Sequence, residues 1–272
     1  MRRKLQVPAA FFLAALCGQA ARLSPPAEQA FAGYIASLEA RLAVQHAAPD
    51  TYLAAVTTPE VERQLLLGGV RIEPVNGGTW QVGSSLMHHW RAAAFVPGVN
   101  PEEMLALLCD SNHLSRYYAP QVISSRALAV NGKTGSLIRF KKQKVVTVVL
   151  DAEFEGENGL TGEGRGFSIS RSTHIWQVDD AGTPREHRRP EGDDDGFLWH
   201  LNSYWSFAET LGGLFIECEA VSLTRDVPLG LGWLINPIIQ SLPRESLEFT
   251  LKATKNALLA NARKEAQDDR SN

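Results

Sequence analysis

Gly232-Trp233-Leu234-Ile235-Asn236-Pro237-Ile238-Ile239, running through Leu242-Pro243 into a helical pattern from Arg244 to about Arg263, is the stretch that decides the fold. On a helical wheel of about 100° per residue, Arg244, Glu245, Glu248, Lys252, Lys255 and Arg263 share one side. The opposite side is wide and apolar, with bulk only at its borders: Leu247, Leu251 and Leu258 on one edge, Phe249 on the other. Its middle is small or weakly polar, namely Thr250, Ala253, Thr254, Ala257 and Asn261. Interiors pack to crystal-like density, so a helix that closes a core normally fills its centre line with Leu or Ile. A centre line of small residues either lies very close to its neighbour or roofs a space.

The start of the chain reads differently. Arg2-Arg3-Lys4, an uncharged apolar run from Leu5 to Leu16 and small residues ending at Ala20 have the three-part form of a secretory leader. The run is shorter than the ~20 residues a membrane-spanning helix needs. Residues 1–20 are therefore expected to be a signal peptide and the protein to be exported, periplasmic or secreted. Net charge is −3 for the whole chain and −6 once Arg2, Arg3 and Lys4 leave with the leader. So acidic a protein is a poor partner for nucleic acid. Cys109 and Cys218 remain, with pairing and buried thiols both open.

Downstream, Ser24-Pro25-Pro26 opens a helix carrying Phe31, Tyr34, Ile35, Leu38 and Leu42 at helical spacing to about Ala47. Thr58-Pro59-Glu60 opens a second, ending at Gly68-Gly69. Residues 21–69 thus form an N-terminal helical extension. From Val70 the pattern changes to strands. Val70–Val75 and Thr79–Val82, separated by Asn76-Gly77-Gly78, suggest a hairpin. Leu86–Val96 is a further strand, followed by helices opening at Asn100-Pro101 and spanning Asp110 to Tyr118. Then come strands at Val122–Val130, Gly135–Glu155 with a bend or break near Lys144, Arg165–Val178, Phe197–Glu209 and Leu214–Thr224. The polar loop from Asp179 to Gly196 is expected to be solvated. The sheet must cover an apolar face, and the last helix is the element available.

Several segments in this order resemble the START-like superfamily, also called helix-grip or Bet v 1-like, which includes lipid-transfer proteins and polyketide cyclases. They are His88-His89-Trp90 with Phe95-Val96-Pro97-Gly98, Tyr117-Tyr118-Ala119-Pro120, Phe197-Leu198-Trp199 with Ser203-Tyr204-Trp205, and Glu217 through Leu223. The strongest is Gly232-Trp233-Leu234 leading through Pro237 to Leu242-Pro243. The resemblance covers about residues 86–262 and implies an α+β fold: a curved antiparallel sheet wrapped around a long C-terminal helix, with an apolar tunnel between them. It implies less about function, because this architecture hosts carriers, cyclases and interaction domains. The ligand-binding domain is placed at residues 70–263, with a disordered tail at 264–272.

Strand alternation adds detail. Phe197, Trp199, Leu201, Trp205 and Phe207 share one face, and His200, Asn202, Tyr204 and Ser206 the other. Ile216, Cys218, Ala220 and Ser222 form a small face, with Glu217 and Glu219 opposite. Small residues on this strand facing small residues on the helix would leave an oily hollow. Its candidate ligand-binding residues are Tyr118, Arg139, Trp199, Trp205, Ile216, Cys218, Ala220, Trp233, Thr250, Thr254 and Ala257. Polar groups at a tunnel end would come from Tyr117, Tyr118, Arg139, Glu153, Arg171 and Arg225, and residues 233–239 read as a gate or a packed connector.

Catalytic signals are weak. His88 and His89 point to opposite faces, one expected in solvent and one hydrogen-bonded; His113 is explained by capping near Asp110, and His200 by a surface pair with Glu217 or Glu219. There is no nucleophile elbow, phosphate loop or zinc spacing, so neither a cofactor nor a metal is expected and no catalytic residue is assigned. Arg139, Lys141, Lys142 and Lys144 make a basic strand face suited to solvent or to passing contact with an anionic membrane. The leading reading is an exported, non-catalytic carrier or sensor of a lipid or polyketide-like molecule. A cyclase- or hydrolase-type enzyme using the same cavity, and an interaction scaffold with a filled one, are the alternatives.

Overall fold

The computed structural model describes residues 22–130, 133–143, 147–162, 164–190, 192–226 and 232–268. The expected leader lies outside them. Helix α1 (Pro25–His46) starts where the Ser24 hydroxyl accepts the Ala27 N–H, and α2 (Pro59–Leu66) where Thr58 accepts from Val61. Both caps satisfy first-turn amides that no intrahelical carbonyl reaches. Strands β1 (Val70–Val82) and β2 (Ser85–Pro97) follow. Helix α3 (Pro101–Cys109) opens on a reciprocal cap between Asn100 and Glu103, and α4 (Leu114–Tyr117) is a single turn. The remaining strands are β3 (Val122–Val130), β4 (Lys133–Gln143), β5 (Thr147–Gly162), β6 (Arg165–Asp179), β7 (His187–Arg188), β8 (His200–Thr210) and β9 (Gly213–Arg225). The last helix, α5, spans Gly232–Asp268. The strands form one curved, open antiparallel sheet in the order β1-β2-β9-β8-β6-β5-β4-β3, with β7 hanging from β6.

Several expectations need correction. Val70–Val82 is one strand, not a hairpin: it pairs with β2 on both sides of a bulge between Pro74 and Thr79. Asn76, Gly77 and Gly78 do take positive φ, but they loop the extra residues out of the ladder instead of reversing the chain. Gly78 has no substitute here, because a Cβ would lie 2.8 Å from the Trp90 ring and 2.9 Å from Pro74. The run expected from Gly135 to Glu155 is two strands, β4 and β5, paired antiparallel. Helix α4 covers less than the span expected from Asp110. Phe197, Leu198 and Trp199 precede β8, and Phe197 is exposed, not inward. The loop after Asp179 is not wholly solvated, because Asp195 is buried and held by Arg189 and Gln177. Helix α5 begins a dozen residues earlier than its polar face suggested and continues to Asp268, through the start of the expected tail.

The sheet has two covered faces. The inner face packs beneath α5: Ala92, Ala94 and Val96 of β2, Ile216 and Cys218 of β9, and Trp205 and Phe207 of β8 form one core with Leu247, Leu251 and Leu258. The outer face lies under α1, where Phe31, Leu38 and Leu42 meet Met87, Tyr204, Val221 and Leu223. This outer layer also holds charge. Glu219 accepts from His89 Nε2 (2.7 Å) and Arg41 (2.6 Å), and from Arg91 Nε (3.1 Å). Tyr34 of α1 bonds the other His89 nitrogen at 2.6 Å. Glu217 accepts the backbone amides of Ala54 and Ala55. Both histidines of the adjacent pair are buried: His88 bonds Thr79 and Thr224 on the opposite side of the strand, so neither meets solvent. His200 pairs with Glu28 of α1, not with either strand glutamate.

The two carboxylates are held at different protonation. Burial alone would raise Glu219, but His89, Arg91 and Arg41 outweigh it and bring it to about 2. For Glu217 burial prevails over Arg91 and the two amides and pushes it up to about 7. A carboxyl raised above its unfolded value favours the fold while protonated, so that contribution is lost as pH rises from about 4.5 through 7. Wild-type stability should therefore fall relative to Glu217→Gln between pH 5 and pH 8, by up to ~3 kcal/mol, in urea denaturation at the two pH values. Glu219 acts oppositely, its contribution disappearing as pH falls from about 4.5 toward 2.

Candidate ligand-binding site

The inner face is built in cross-strand rows, because directly opposed residues of an antiparallel pair share a face. In the first row Ala92, Cys218, Trp205 and Ser168 lie side by side. The second holds Trp90, Ala220, Ser203, Ser170 and Gly156. In the third, Ser222 pairs with His88 and Leu201, and Ser172 with Phe154. The Leu201 N–H donates to Ser172 Oγ at 2.9 Å, joining β8 to β6 where their ladder ends.

Helix α5 treats these rows differently. Leu247, Leu251, Thr254 and Leu258 are fully buried and form its seam against the sheet. They seal Ala92, Cys218 and Trp205 of the first row and the strand ends beyond them, while Ser168 at the end of that row stays half-buried. The leucines expected at the border of the apolar face are thus its centre. The helix is rotated so that large residues meet the alanines of β2, the complementary arrangement that fills space. Around Ile216, Cys218 and Thr254 the small surfaces do not face one another across a gap.

Space remains one row further along. On β8 the outward-facing Asn202, Tyr204 and Ser206 are 4%, 2% and 2% exposed, being covered by α1. The inward-facing Leu201 and Ser203 are half-buried, as are Ala220 of β9 and Ser168, Ser170 and Ser172 of β6. These are interior strands of the sheet, so a probe reaches them from the inner side. A Cβ built on Gly156 would meet nothing nearer than backbone oxygens at 3.5 and 3.8 Å. This half-buried strip of small, mostly hydroxyl-bearing residues, bordered by Trp90, Trp205 and Phe154, is the candidate floor of a ligand trough.

One wall is fixed by a run of hydroxyls. Tyr118 O–H donates to Thr254 Oγ1 at 2.9 Å, Thr254 donates to the Thr250 carbonyl at 2.9 Å, and Thr250 to the Ser246 carbonyl at 3.0 Å. Burial pushes Tyr118 up to about 12, and burial followed by the neighbouring carboxylates raises Cys218 well above its ordinary value. His88 is brought down to about 4 by burial. The buried Glu219–His89 hydrogen bond faces α1 on the outer side.

The sequence-predicted residues therefore separate. Tyr118, Thr250, Thr254, Trp205, Ile216 and Cys218 are brought together beneath α5, and Ala220 stands in the open second row. Ala257 packs at the edge of the core and also lines a groove of about 420 Å³ between α5 and the Arg116–Ala119 segment. Trp199 is set apart: it packs with the cluster under α1 and its indole donates to Asp194 at 3.2 Å. Arg139 is on the outer face, because it alternates with inward Ile138 and Phe140; it pairs with Asp151 (2.6 Å) and Glu186 (2.7 Å) and borders a separate cleft of about 580 Å³. Arg171 likewise reaches outward to Glu39. Trp233 lies in the first turn of α5, with its side chain outside the described residues, as are the side chains of the expected gate. Cys109 and Cys218 are free thiols, one exposed and one buried. Of the basic strand cluster, Arg139 is ion-paired, Lys142 donates to Gln121 and Ser246, and Lys144 is outside the described residues. Among the described residues no group of His, Cys, Asp and Glu is arranged to hold a metal ion. The serines of β6 were missed, although Ser168-Ile169-Ser170-Arg171-Ser172 shows their alternation plainly.

A curved, open antiparallel sheet with a long C-terminal helix laid across its inner face is the helix-grip arrangement that the sequence resemblance implied. No family model matches the chain, and no curated protein matches its sequence. Among solved structures, a STAR-related lipid transfer protein fragment from Xanthomonas axonopodis is 16% identical, with a TM-score of 0.42, over 70% of this chain and 98% of that one. The Zhui aromatase/cyclase from Streptomyces sp. R1128 is 12% identical, with a TM-score of 0.44, over 66% and 96%. Human STARD10 is 11% identical, with a TM-score of 0.39, over 73% and 80%.

The Tyr118–Thr254 contact is testable by itself. Tyr118→Phe and Thr254→Val should each lower stability by ~1–2 kcal/mol in urea denaturation, with a coupling of ~1 kcal/mol in the double variant. Additive losses would show that the hydroxyls do not bond each other.

Proposed function

We propose that this chain is a START-like binding protein that holds a hydrophobic small molecule in the trough between the inner sheet face and α5, without altering it covalently. One observation carries the reading: at the centre of β8 the outward Asn202, Tyr204 and Ser206 are sealed by α1, while the inward Leu201 and Ser203, unlike the inward Trp205 and Phe207, are only half-buried. A packed two-layer core has the opposite profile. Aromatic borders at Trp90, Trp205 and Phe154 supply apolar contact, and a ligand burying about 300 Å² of apolar surface gains ~7 kcal/mol before ordering costs. On the described inner face burial holds the ionisable groups His88, Tyr118 and Cys218 in their neutral forms, which favours carriage or sensing over cyclase- or hydrolase-type chemistry.

The leader-like start supports a periplasmic or secreted setting for this binding, in which a passing encounter with a bilayer would load or unload a lipid cargo. Fractionation with N-terminal sequencing checks the first point; retention of Met1 in a cytoplasmic product would refute it.

For the binding itself, protein purified from its native compartment and extracted with solvent should release one stoichiometric compound class in mass spectrometry. Nile red should bind at about one per chain. Ser203→Trp, which fills the second row, should weaken that binding at least tenfold with an unchanged circular dichroism spectrum. No extractable compound, with Nile red indifferent to Ser203→Trp, would rule the reading out.

A further inference from the structure

The trough has a chemistry narrower than "hydrophobic", and this inference rests on the binding reading above. We infer that its ligand is an electrically neutral molecule carrying hydroxyl or carbonyl oxygens on an apolar frame, in preference to a fatty acid or a phospholipid.

Two observations lead there. The first concerns polar groups. Ser168, Ser170 and Ser172 succeed one another on the inner side of β6, about 7 Å apart at the usual rise of a strand, and Ser203 lies directly opposite Ser170. A site meant only for alkyl chain has no use for this file of hydroxyls, because each must be desolvated by the ligand, at a cost of ~1–3 kcal/mol where nothing replaces the lost water. Ser172 already accepts the Leu201 amide, which leaves its own proton to be given away. A ligand with oxygens along one edge meets these groups, while Trp205 and Phe154 cover its apolar side.

The second concerns charge. The buried carboxylates of the central strands, Glu217 and Glu219, are turned to the outer face, as are Arg91 and Arg171. Lys142, on the inner side of β4, lies opposite Val148, six residues along β5 from Phe154 and so about 20 Å away at the usual rise of a strand, and it donates there to Gln121 and to Ser246 of α5. His88 has both ring nitrogens occupied by threonine hydroxyls. The sequence from residue 227 to residue 240 contains no Asp, Glu, Lys, Arg or His, and Arg244, the first cation of α5, lies 3.8 Å from Glu248. A carboxylate or phosphate drawn into this trough would be buried without a cation, and an unpaired buried ion is far more costly than a neutral oxygen with a hydroxyl partner. The site selects against charge by leaving it unanswered.

The test uses a chain-matched pair at pH 8, glycerol monodecanoate and decanoate, each below its micelle concentration, displacing Nile red from the full-length protein. The ester should displace the dye at a concentration at least tenfold lower than the ionised acid. In the Ser168→Ala, Ser170→Ala, Ser203→Ala variant the preference for the ester over 1-decanol, read as the ratio of their displacement constants, should fall at least fivefold. Decanoate equal to or better than the ester, or a preference unchanged in the triple variant, would overturn the inference while leaving the binding reading standing. Failure of Nile red to bind the wild type would overturn both.

Discussion

The pairing of β2 with β9 sets which chemistry lies on which side of the sheet. In the observed register Ala92 meets Cys218 and Ala94 meets Ile216 on one side, while Arg91 meets Glu219 on the other. A slip of β9 by a single residue would exchange its two faces. Glu217 and Glu219 would then lie beneath α5 among leucines, and Cys218 and Ala220 under a helix that presents Arg41 and Tyr34. Neither layer tolerates the exchange, because an ion buried without partners costs several kcal/mol. The charged outer layer and the apolar inner layer each enforce the same alignment.

From that alignment the division of labour follows. The outer face is polar yet dry, with carboxylates, histidines and tyrosines satisfied by α1 and by the Ala54–Ala55 amides. The inner face is almost free of charge and is sealed at one end only. Leucines of α5 settle onto the alanines of β2, and the serine-bearing rows beside them stay half-buried. Rigid closure at one end and half-buried small residues at the other give the inner face the graded burial on which the proposed binding rests.

How much of this could be seen in the sequence varied with the physics of each element. Helix starts were legible because Ser24, Thr58 and Asn100 cap and are followed by proline, a local chemistry that long-range packing does not override. The opposition of Cys218 to Glu217 and Glu219 was legible because strand alternation has a period of two. The Asn76-Gly77-Gly78 segment misled, since positive φ serves a bulge as well as a turn and only pairing with β2 decides between them. The orientation of α5 misled for a related reason: the wheel ranks faces by residue type, whereas Ala92 and Ala94 on a distant strand determined that the leucine edge turned inward. Arg139 was assigned to the pocket by its charge, and its parity with Ile138 and Phe140 would have excluded it. Nothing local marks His88 and His89 as buried, because the cover over His89 comes from a helix more than forty residues away.

That cover has a consequence for where the functional unit begins. The START-like likeness starts near residue 86, which invites trimming of everything before the sheet. Yet Arg41, Tyr34, Glu39 and Glu28 of α1 supply the partners of Glu219, His89, Arg171 and His200 respectively. An excised sheet-and-helix fragment would lose Arg41 from Glu219, Tyr34 from His89 and Glu28 from His200, and would wet an aromatic-rich flank. The leading segment is thus a structural keel, and the smallest self-sufficient form of this protein includes it.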